Sequence, residues 1–345
     1  MPSVASILAD FASLSTVEKN AVRNKLLYSS VSGTPDMDEF IKQVRFSEGR
    51  TCPMCRGKDV IRHGHQKDGT QRYYCKDCRK TFVITSNSIA SGTRFPLRTW
   101  EQFIDCMMNG FSVRKSADIC GIHRNTAFIW RHKVLDALQE MADSVELNGI
   151  VEADETFFDV SYKGNHSKSA FVMPRKAHKR GGMSRKRGLS SDKVCVPCAV
   201  NRTGQSIAKV SNLARIKTAG LDAIFTDRIS TDSKLITDKA SAYRKFAEKT
   251  GVELHQLKSD KDSRKGIYNL QHINNYHGQL KSFMRRFNGV STKYLNNYLI
   301  WHNFVNYAKE EYQEKRRILL AFVLSVYQYI PSNNIANRRE LPLLT

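Results

Sequence analysis

Four cysteines set the first chemistry. Cys52-Pro53-Met54-Cys55 and Cys75-Lys76-Asp77-Cys78 are two Cys-x-x-Cys pairs. Between them, Val60 to Gly64 and Gln71 to Tyr74 alternate like short strands around a Lys67-Asp68-Gly69 turn, the pattern of a hairpin. A tetrahedral zinc ion needs four soft ligands at about 2.3 Å, and two knuckle turns held face to face by a hairpin deliver them. The spacing therefore predicts a zinc ribbon over 49–86, with Cys52, Cys55, Cys75 and Cys78 holding structural Zn²⁺. Cys106 and Cys120 fall at apolar helix positions and read as core thiols. Cys195 and Cys198 form a third Cys-x-x-Cys, but in an apparent strand. Residues three apart on a strand face opposite ways, so these also read as core.

A second chemistry is acidic. Glu152, Asp154, Glu155 and Asp159 crowd one strand-like segment, Ile150 to Val160. Glu152 and Asp154 share one face and Glu155 takes the other. Further on, Lys234-Leu235-Ile236-Thr237-Asp238 is an apolar strand ending in a carboxylate, with a helix directly after it. Ligands of α/β sheets gather at such strand ends. Two aspartates converging from different strands suit Mg²⁺, which prefers carboxylate oxygens and keeps waters for phosphate substrates. Two such ions could activate a nucleophile and stabilise a leaving oxygen in phosphodiester chemistry. Residues 269–290 read as a helix whose apolar stripe is Ile273, Tyr276 or His277, Leu280 and Met284. Asn274 and Lys281 are seven apart, on one face two turns apart. Lys281, Arg285 and Arg286 form a basic rail suited to a DNA backbone.

Other elements must position these groups. Residues 97–140 read as helical. Within them, Ser112 to His132 has the layout of a helix-turn-helix, with small Ala117 at the crossing and Gly121 at the turn. Ile122, Ala127 and Trp130 supply its packed face. Such a unit can lay its second helix in a major groove. Arg124 and Asn125 then reach base edges, and Arg114, Lys115 and Arg131 reach phosphates. From 149 to 258, strands alternate with helices, which predicts a mixed α/β domain. Residues 1–48 read as a helical lead-in, with a capping box at Ser15 to Glu18 and a second short helix around Phe40 and Ile41. Residues 161–193 hold a basic insertion, densest over 174–193.

Charge narrows the partner. Lys and Arg outnumber Asp and Glu by 55 to 33 in 345 residues, a net charge of +22. A balance that basic points to a polyanion, and nucleic acid is the usual one. Hydrophobic residues at 41% and charged residues at 26% exclude wholesale disorder and a collagen-like chain. The longest apolar run, Ile318 to Ile330, is shorter than the ~20 residues that span a bilayer. Met1-Pro2-Ser3-Val4 lacks the layout of a signal peptide. A cytoplasmic protein without membrane contact is expected, with its cysteines as ligands or core.

Taken in order, these motifs resemble a known family. They run from zinc ribbon to helix-turn-helix, Asp154-Glu155-Thr156, Thr237-Asp238, Asn274-Asn275-Tyr276-His277-x-x-Leu280-Lys281, then Phe287-Asn288-Gly289-Val290-Ser291-Thr292-Lys293-Tyr294-Leu295. Asn297-Tyr298-Leu299 and Trp301 close the last block. The whole resembles the bacterial insertion-sequence transposases of the ISXO-like group over roughly 50–305. The resemblance implies an α/β multidomain chain. Its N-terminal zinc ribbon and helix-turn-helix would precede a ribonuclease-H-like catalytic domain over 148–308, and C-terminal helices would fill 309–345.

The resemblance also assigns roles. Asp154 and Asp238 match the family's two metal-binding aspartates and Lys281 its downstream lysine. The third position, usually Glu in the wider superfamily, is Asn274, as in one branch of the group. Asn offers a neutral carbonyl, a weaker ligand for Mg²⁺ or Mn²⁺. Either one ion is held loosely, or Glu152, Glu155 or His277 assists. The implied activity is transposition. The chain would bind terminal inverted repeats, hydrolyse a phosphodiester at the element end and transfer the freed strand into target DNA, as a homo-oligomer on DNA within the nucleoid. The alternative is a non-catalytic, sequence-specific DNA-binding regulator with a degenerate nuclease domain. A plain structure-specific nuclease would not need two recognition modules.

Overall fold

The computed structural model describes residues 37–164, 172, 190–257, 264–307, 312–325 and 328–344. The capping box at Ser15 and most of the basic insertion lie outside the described residues. Two compact units emerge. One takes the described residues up to Met141 and those between Glu310 and Ala336; the other takes Ala142 to Lys309 and Asn337 onward. The expected C-terminal tail is thus divided between the units.

In the first unit, α1 (Met37–Arg45) leads into β1 (Val60–His65), β2 (Gln71–Cys75) and β3 (Thr81–Val83), an antiparallel sheet in that order. Its small core is Cys52, Val60, Tyr73, Cys75 and Phe82. So little apolar surface makes a marginal domain without a staple. The sequence had shown the hairpin but not β3, which is too short to show a period. Arg45 ties α1 to the ribbon by donating to the carbonyls of Ile84 and Ser86.

Helices α2 (Leu97–Met108), α3 (Val113–Cys120) and α4 (Arg124–Ala137) follow. Ser112 caps α3 by accepting from Lys115 N at 3.2 Å. Gly121 ends it at φ 61°, ψ 33°, a left-handed conformation that glycine enters cheaply. The His123 ring caps α4 by accepting from Asn125 N at 3.2 Å. Trp130 of α4 stacks on Trp100 of α2, centroids 3.7 Å apart and planes 14° apart, and Ala117, Ile122 and Ala127 are buried. Helix α5 (Gln139–Asp143) follows α4. From the far end of the chain, α10 (Tyr312–Ser325) packs on α1 and α2, where Arg316 forks onto Glu101 and Asp105. The short α11 (Ser332–Ala336) packs against α4.

The second unit is built on five strands. They are β4 (Ile150–Asp159), β5 (Lys193–Asn201), β6 (Ser206–Ala208), β7 (Lys234–Thr237) and β8 (Glu253–Gln256), in the order β6-β5-β4-β7-β8. β4, β5 and β6 run antiparallel; β7 and β8 join parallel. Three antiparallel strands extended by two parallel ones on the side of the first strand make a ribonuclease-H-like sheet. Helices α6 (Thr218–Phe225) and α7 (Ser241–Thr250) cover one face. There Leu221, Phe225, Tyr243 and Phe246 pack on Val151, Ala153 and Leu235. A two-residue hairpin, β9 (Arg264–Lys265) with β10 (Tyr268–Asn269), leads into α8 (Gln271–Arg285), which packs against β4 and β5. Helix α9 (Leu295–His302) follows.

The block Phe287 to Thr292 has a structural task. Asn288 and Gly289 turn the chain at φ 50° and 89°. Lys163 Nζ donates to the carbonyls of Phe287, Asn288 and Gly289 at 3.4, 3.2 and 2.8 Å. Thr292 exchanges two bonds with Ser161, N to O at 2.8 Å and Oγ1 from Ser161 N at 2.9 Å. The chain leaving α8 is thus strapped to the chain leaving β4. Because Thr292 is buried, Thr292→Val should cost about 1–3 kcal/mol through the orphaned Ser161 N–H. Urea unfolding followed by Trp301 fluorescence would measure that loss.

Candidate active site

Each cysteine of the ribbon sits where a metal needs it. The four Sγ atoms all lie within 4.8 Å of one another, with Cys52 to Cys78 at 3.7 Å and Cys55 to Cys75 at 3.6 Å. A tetrahedron with ~2.3 Å bonds has edges of about 3.8 Å, so the donor set fits zinc. Met54 N and Gly57 N donate to Cys52 and Cys55 sulfur at 3.4 Å, which holds the first knuckle. Burial pushes the Cys52 thiol up to about 12, so its thiolate needs a cation, and binding must release protons. Among the described residues, this is the one such group of His, Cys, Asp and Glu.

The carboxylates converge through strand register. Glu152 of β4 pairs with Ile236 of β7 in parallel, and the next same-face step on each strand is Asp154 and Asp238. Asp154 Oδ1 accepts from Glu155 N at 2.8 Å. Asp238 Oδ1 accepts from Ala240 N at 2.9 Å. Gln256 of β8 clamps the Asp238 turn, donating to the carbonyls of Asp238 at 2.9 Å and Ala240 at 3.3 Å. Burial pushes the Asp154 carboxyl up to about 6; the Asp238 charge adds to this, while the Glu155 N–H and Lys281 oppose it. Glu155 points to the other face. Burial, with the charges of Asp154 and Asp238, pushes it up to about 7. It faces the buried Tyr243 hydroxyl of α7, whose hydrogen bond opposes that rise. Carboxylates buried together in this way are a site a divalent cation would relieve.

Glu152 does something else. It is buried to 1% exposure and accepts from the second and third N–H groups of α8, His272 N at 2.8 Å and Ile273 N at 3.1 Å. Its other oxygen meets the His272 ring at 2.9 Å and Arg202 at 2.9 Å. A carboxylate at a helix N-terminus satisfies orphan donors and complements the dipole. Glu152 thereby aims α8 at Asp154. His277 of α8 places Nδ1 3.9 Å from Asp154 Oδ2, and burial followed by the Lys281 charge lowers its pKa to about 4. Asn274 and Lys281 are exposed one turn to either side, so all three share the face turned to the carboxylates. Of the three helpers considered for Asn274, Glu152 is occupied by the helix, Glu155 faces away, and His277 faces Asp154.

The surface cations divide. Arg114, Lys115, Arg124 and Asn125 are exposed on the helix-turn-helix, with Lys115 Nζ 3.8 Å over the Phe111 ring. Arg131 is a correction. It is 1% exposed and donates to the Phe111 carbonyl at 2.6 Å, bracing the loop before α3 rather than facing a phosphate. Its spacing suited a surface, but the wide apolar face of α4 turns it inward. Arg285 and Arg286 are exposed at the end of α8.

With this geometry in view, the comparisons with known proteins fall into place. The sheet defines a ribonuclease-H-like domain behind a zinc ribbon. Residues 146–305 match the ISXO2-like transposase domain, and residues 50–79 match the InsA N-terminal domain, a zinc ribbon. The chain is thus similar to an ISXO2-like transposase domain over 146–305 and to an InsA-type ribbon before it. A curated relative, an uncharacterized protein in transposable element ISH50 of Halobacterium salinarum, is 28% identical over 209 residues, 59% of this chain and 66% of its own length. The match thus spans just under two thirds of that relative. Two solved structures are similar at a fainter level. The Mos1 transposase paired-end complex with left transposon end has a TM-score of 0.27 at 10% identity, covering 66% of this chain and 77% of that one. The Mos1 strand transfer complex has 0.27 at 12%, covering 70% and 82%. Likeness that faint adds nothing to the strand order. Among the described residues, no helix is long and apolar enough to cross a membrane.

Two outcomes test this geometry. In protein with its ribbon zinc-loaded and no Mg²⁺ or Mn²⁺ added, Asp154→Asn should raise stability at pH 7.5 by about 1–3 kcal/mol. The carboxyl's raised pKa makes its charge a cost that sets in as pH climbs from about 4 to about 6, so the gain should vanish below pH 4. Thermal melts across that range would show it. Glu152→Ala should cost about 1–3 kcal/mol by taking the acceptor from the His272 and Ile273 N–H groups and the carboxylate from Arg202, read by denaturant unfolding.

Proposed function

We propose that this chain is a DNA transposase that cuts and joins phosphodiester bonds with Asp154, Asp238 and the Asn274–Lys281 face of α8. The observation that carries the reading is the parallel pairing that sets Asp154 of β4 beside Asp238 at the end of β7, with that face of α8 turned to Asp154, inside a domain of transposase type. A divalent ion, Mg²⁺ or Mn²⁺, when bound between Asp154 and Asp238, would supply charge neutralisation for the reacting phosphate and activation of the attacking oxygen.

The chain's own residues do the rest. Asp154 and Asp238 supply the anionic oxygens, and Asn274 supplies a neutral carbonyl oxygen beside them. Lys281, exposed one turn beyond His277, carries positive charge to a non-bridging phosphate oxygen. Arg285 and Arg286 extend that rail along the DNA backbone. Glu152 and the Ser161–Thr292 strap hold α8 in register, which matters where rate comes from positioning. Water attacks the phosphodiester at the element end first; the freed 3′-hydroxyl then attacks target DNA. Arg124 and Asn125 read base edges of the terminal repeats, with Arg114 and Lys115 on phosphates. Synapsis of two ends calls for a homo-oligomer on double-stranded DNA, which puts its work at the nucleoid in the cytoplasm.

The test is cleavage and joining of a labelled duplex carrying the element's own ends, with Mg²⁺ or Mn²⁺. Wild type should nick and join. Asp154→Ala and Asp238→Ala should lose both steps by at least about a thousandfold, and Asn274→Ala by less. Tight, sequence-specific binding without cleavage under either metal would instead identify a DNA-binding regulator with a degenerate nuclease core.

A further inference from the structure

We propose that His277 is itself a ligand of the ion held by Asp154, so that the site is a mixed nitrogen–oxygen centre rather than an all-oxygen one. The proposal deepens the reading above and rests on it.

The ring is placed for this. Its Nδ1 lies 3.9 Å from Asp154 Oδ2. That is beyond hydrogen-bond range, yet it matches two donors sharing one ion. Ligands each about 2.1 Å from a cation lie between about 3.0 Å apart at right angles and about 4.2 Å apart across it. The side chain is 8% exposed, and its Nε2 is buried without a hydrogen-bond partner. Burying an unsatisfied ring nitrogen costs free energy, a cost that metal ligation through the other nitrogen would offset. The groups facing it are Asp154 from β4 and Lys281 from its own helix. No protein acceptor among the described residues competes for Nδ1 at hydrogen-bond distance.

The geometry also accounts for Asn274. A neutral amide is a poor substitute for a carboxylate, and an imidazole one turn along the same face supplies the missing donor. A nitrogen ligand moves selectivity away from Mg²⁺ and toward Mn²⁺ and the later divalent metals.

Mn²⁺ tests this by its spin. Full-length protein with its ribbon zinc-loaded is titrated with Mn²⁺, and electron spin-echo envelope modulation is recorded on natural and ¹⁵N-histidine-labelled samples. The expected result is a directly bound imidazole nitrogen in wild type, shifted by the label and lost in His277→Gln. Mn²⁺ affinity should fall about tenfold or more in that variant. Mn²⁺ bound in an Asp154-dependent way with no nitrogen coupling in wild type would overturn the proposal and leave the two-aspartate site standing. So would coupling that persists in a folded His277→Gln. Absence of any Asp154-dependent Mn²⁺ binding would overturn both. The labelled wild type decides the matter even where the variant misfolds.

Discussion

One buried carboxylate holds the second unit in its working geometry. Glu152 sits on β4 two residues before Asp154 and takes the second and third N–H groups of α8. Strand and helix are more than a hundred residues apart in sequence, and nothing local fixes their angle. A carboxylate on two backbone donors and a guanidinium does, because each bond is charge-assisted and directional. The far end of α8 is held by neutral bonds to Ser161 and by the Lys163 ammonium on three carbonyls. The helix bearing Asn274, His277 and Lys281 is pinned at both ends to the strand bearing Asp154. Small errors at either end would move the face away from the carboxylates.

That precision carries a stability penalty elsewhere. Asp154 and Glu155 in the middle of β4 lie near Asp238 at the end of β7, and burial opposes charge on the first two. Tyr243 is fully buried beside Glu155, in the field of all three. A sheet optimised for stability alone would fill these positions with apolar or paired groups. The tension is what one expects where a domain waits for a cation and an anionic substrate to complete it.

Much of this was legible from sequence, and the exceptions have a common cause. The ribbon was readable because ligand spacing and hairpin turn are both local. The helix-turn-helix was readable because Ser112, Ala117 and Gly121 act within one or two turns. Asp154 could be placed on a strand face and Asp238 at a strand end, but their approach depends on β4 lying parallel beside β7, which no single segment encodes. Glu152 looked like a spare ligand because its partner is a helix terminus 120 residues away. Arg131 looked like a surface cation because charge is ordinarily exposed, yet a carbonyl in the preceding loop claims it. The Phe287 to Thr292 block carried family resemblance, but its bonding to Ser161 and Lys163 appears only in three dimensions.

The stem of the basic insertion is closed twice. β4 and β5 pair to their ends at Asp159 and Lys193, whose side chains also meet at 2.6 Å, and Val160 N bonds Asp192 O at 2.9 Å. A stem closed in this way holds its two ends together whatever the length of the segment between them. Doubling a closed loop costs only about 0.6 kcal/mol. The position is therefore a socket. Sequence can be exchanged, lengthened or trimmed there while Asp154, five residues back along the same strand, keeps its place.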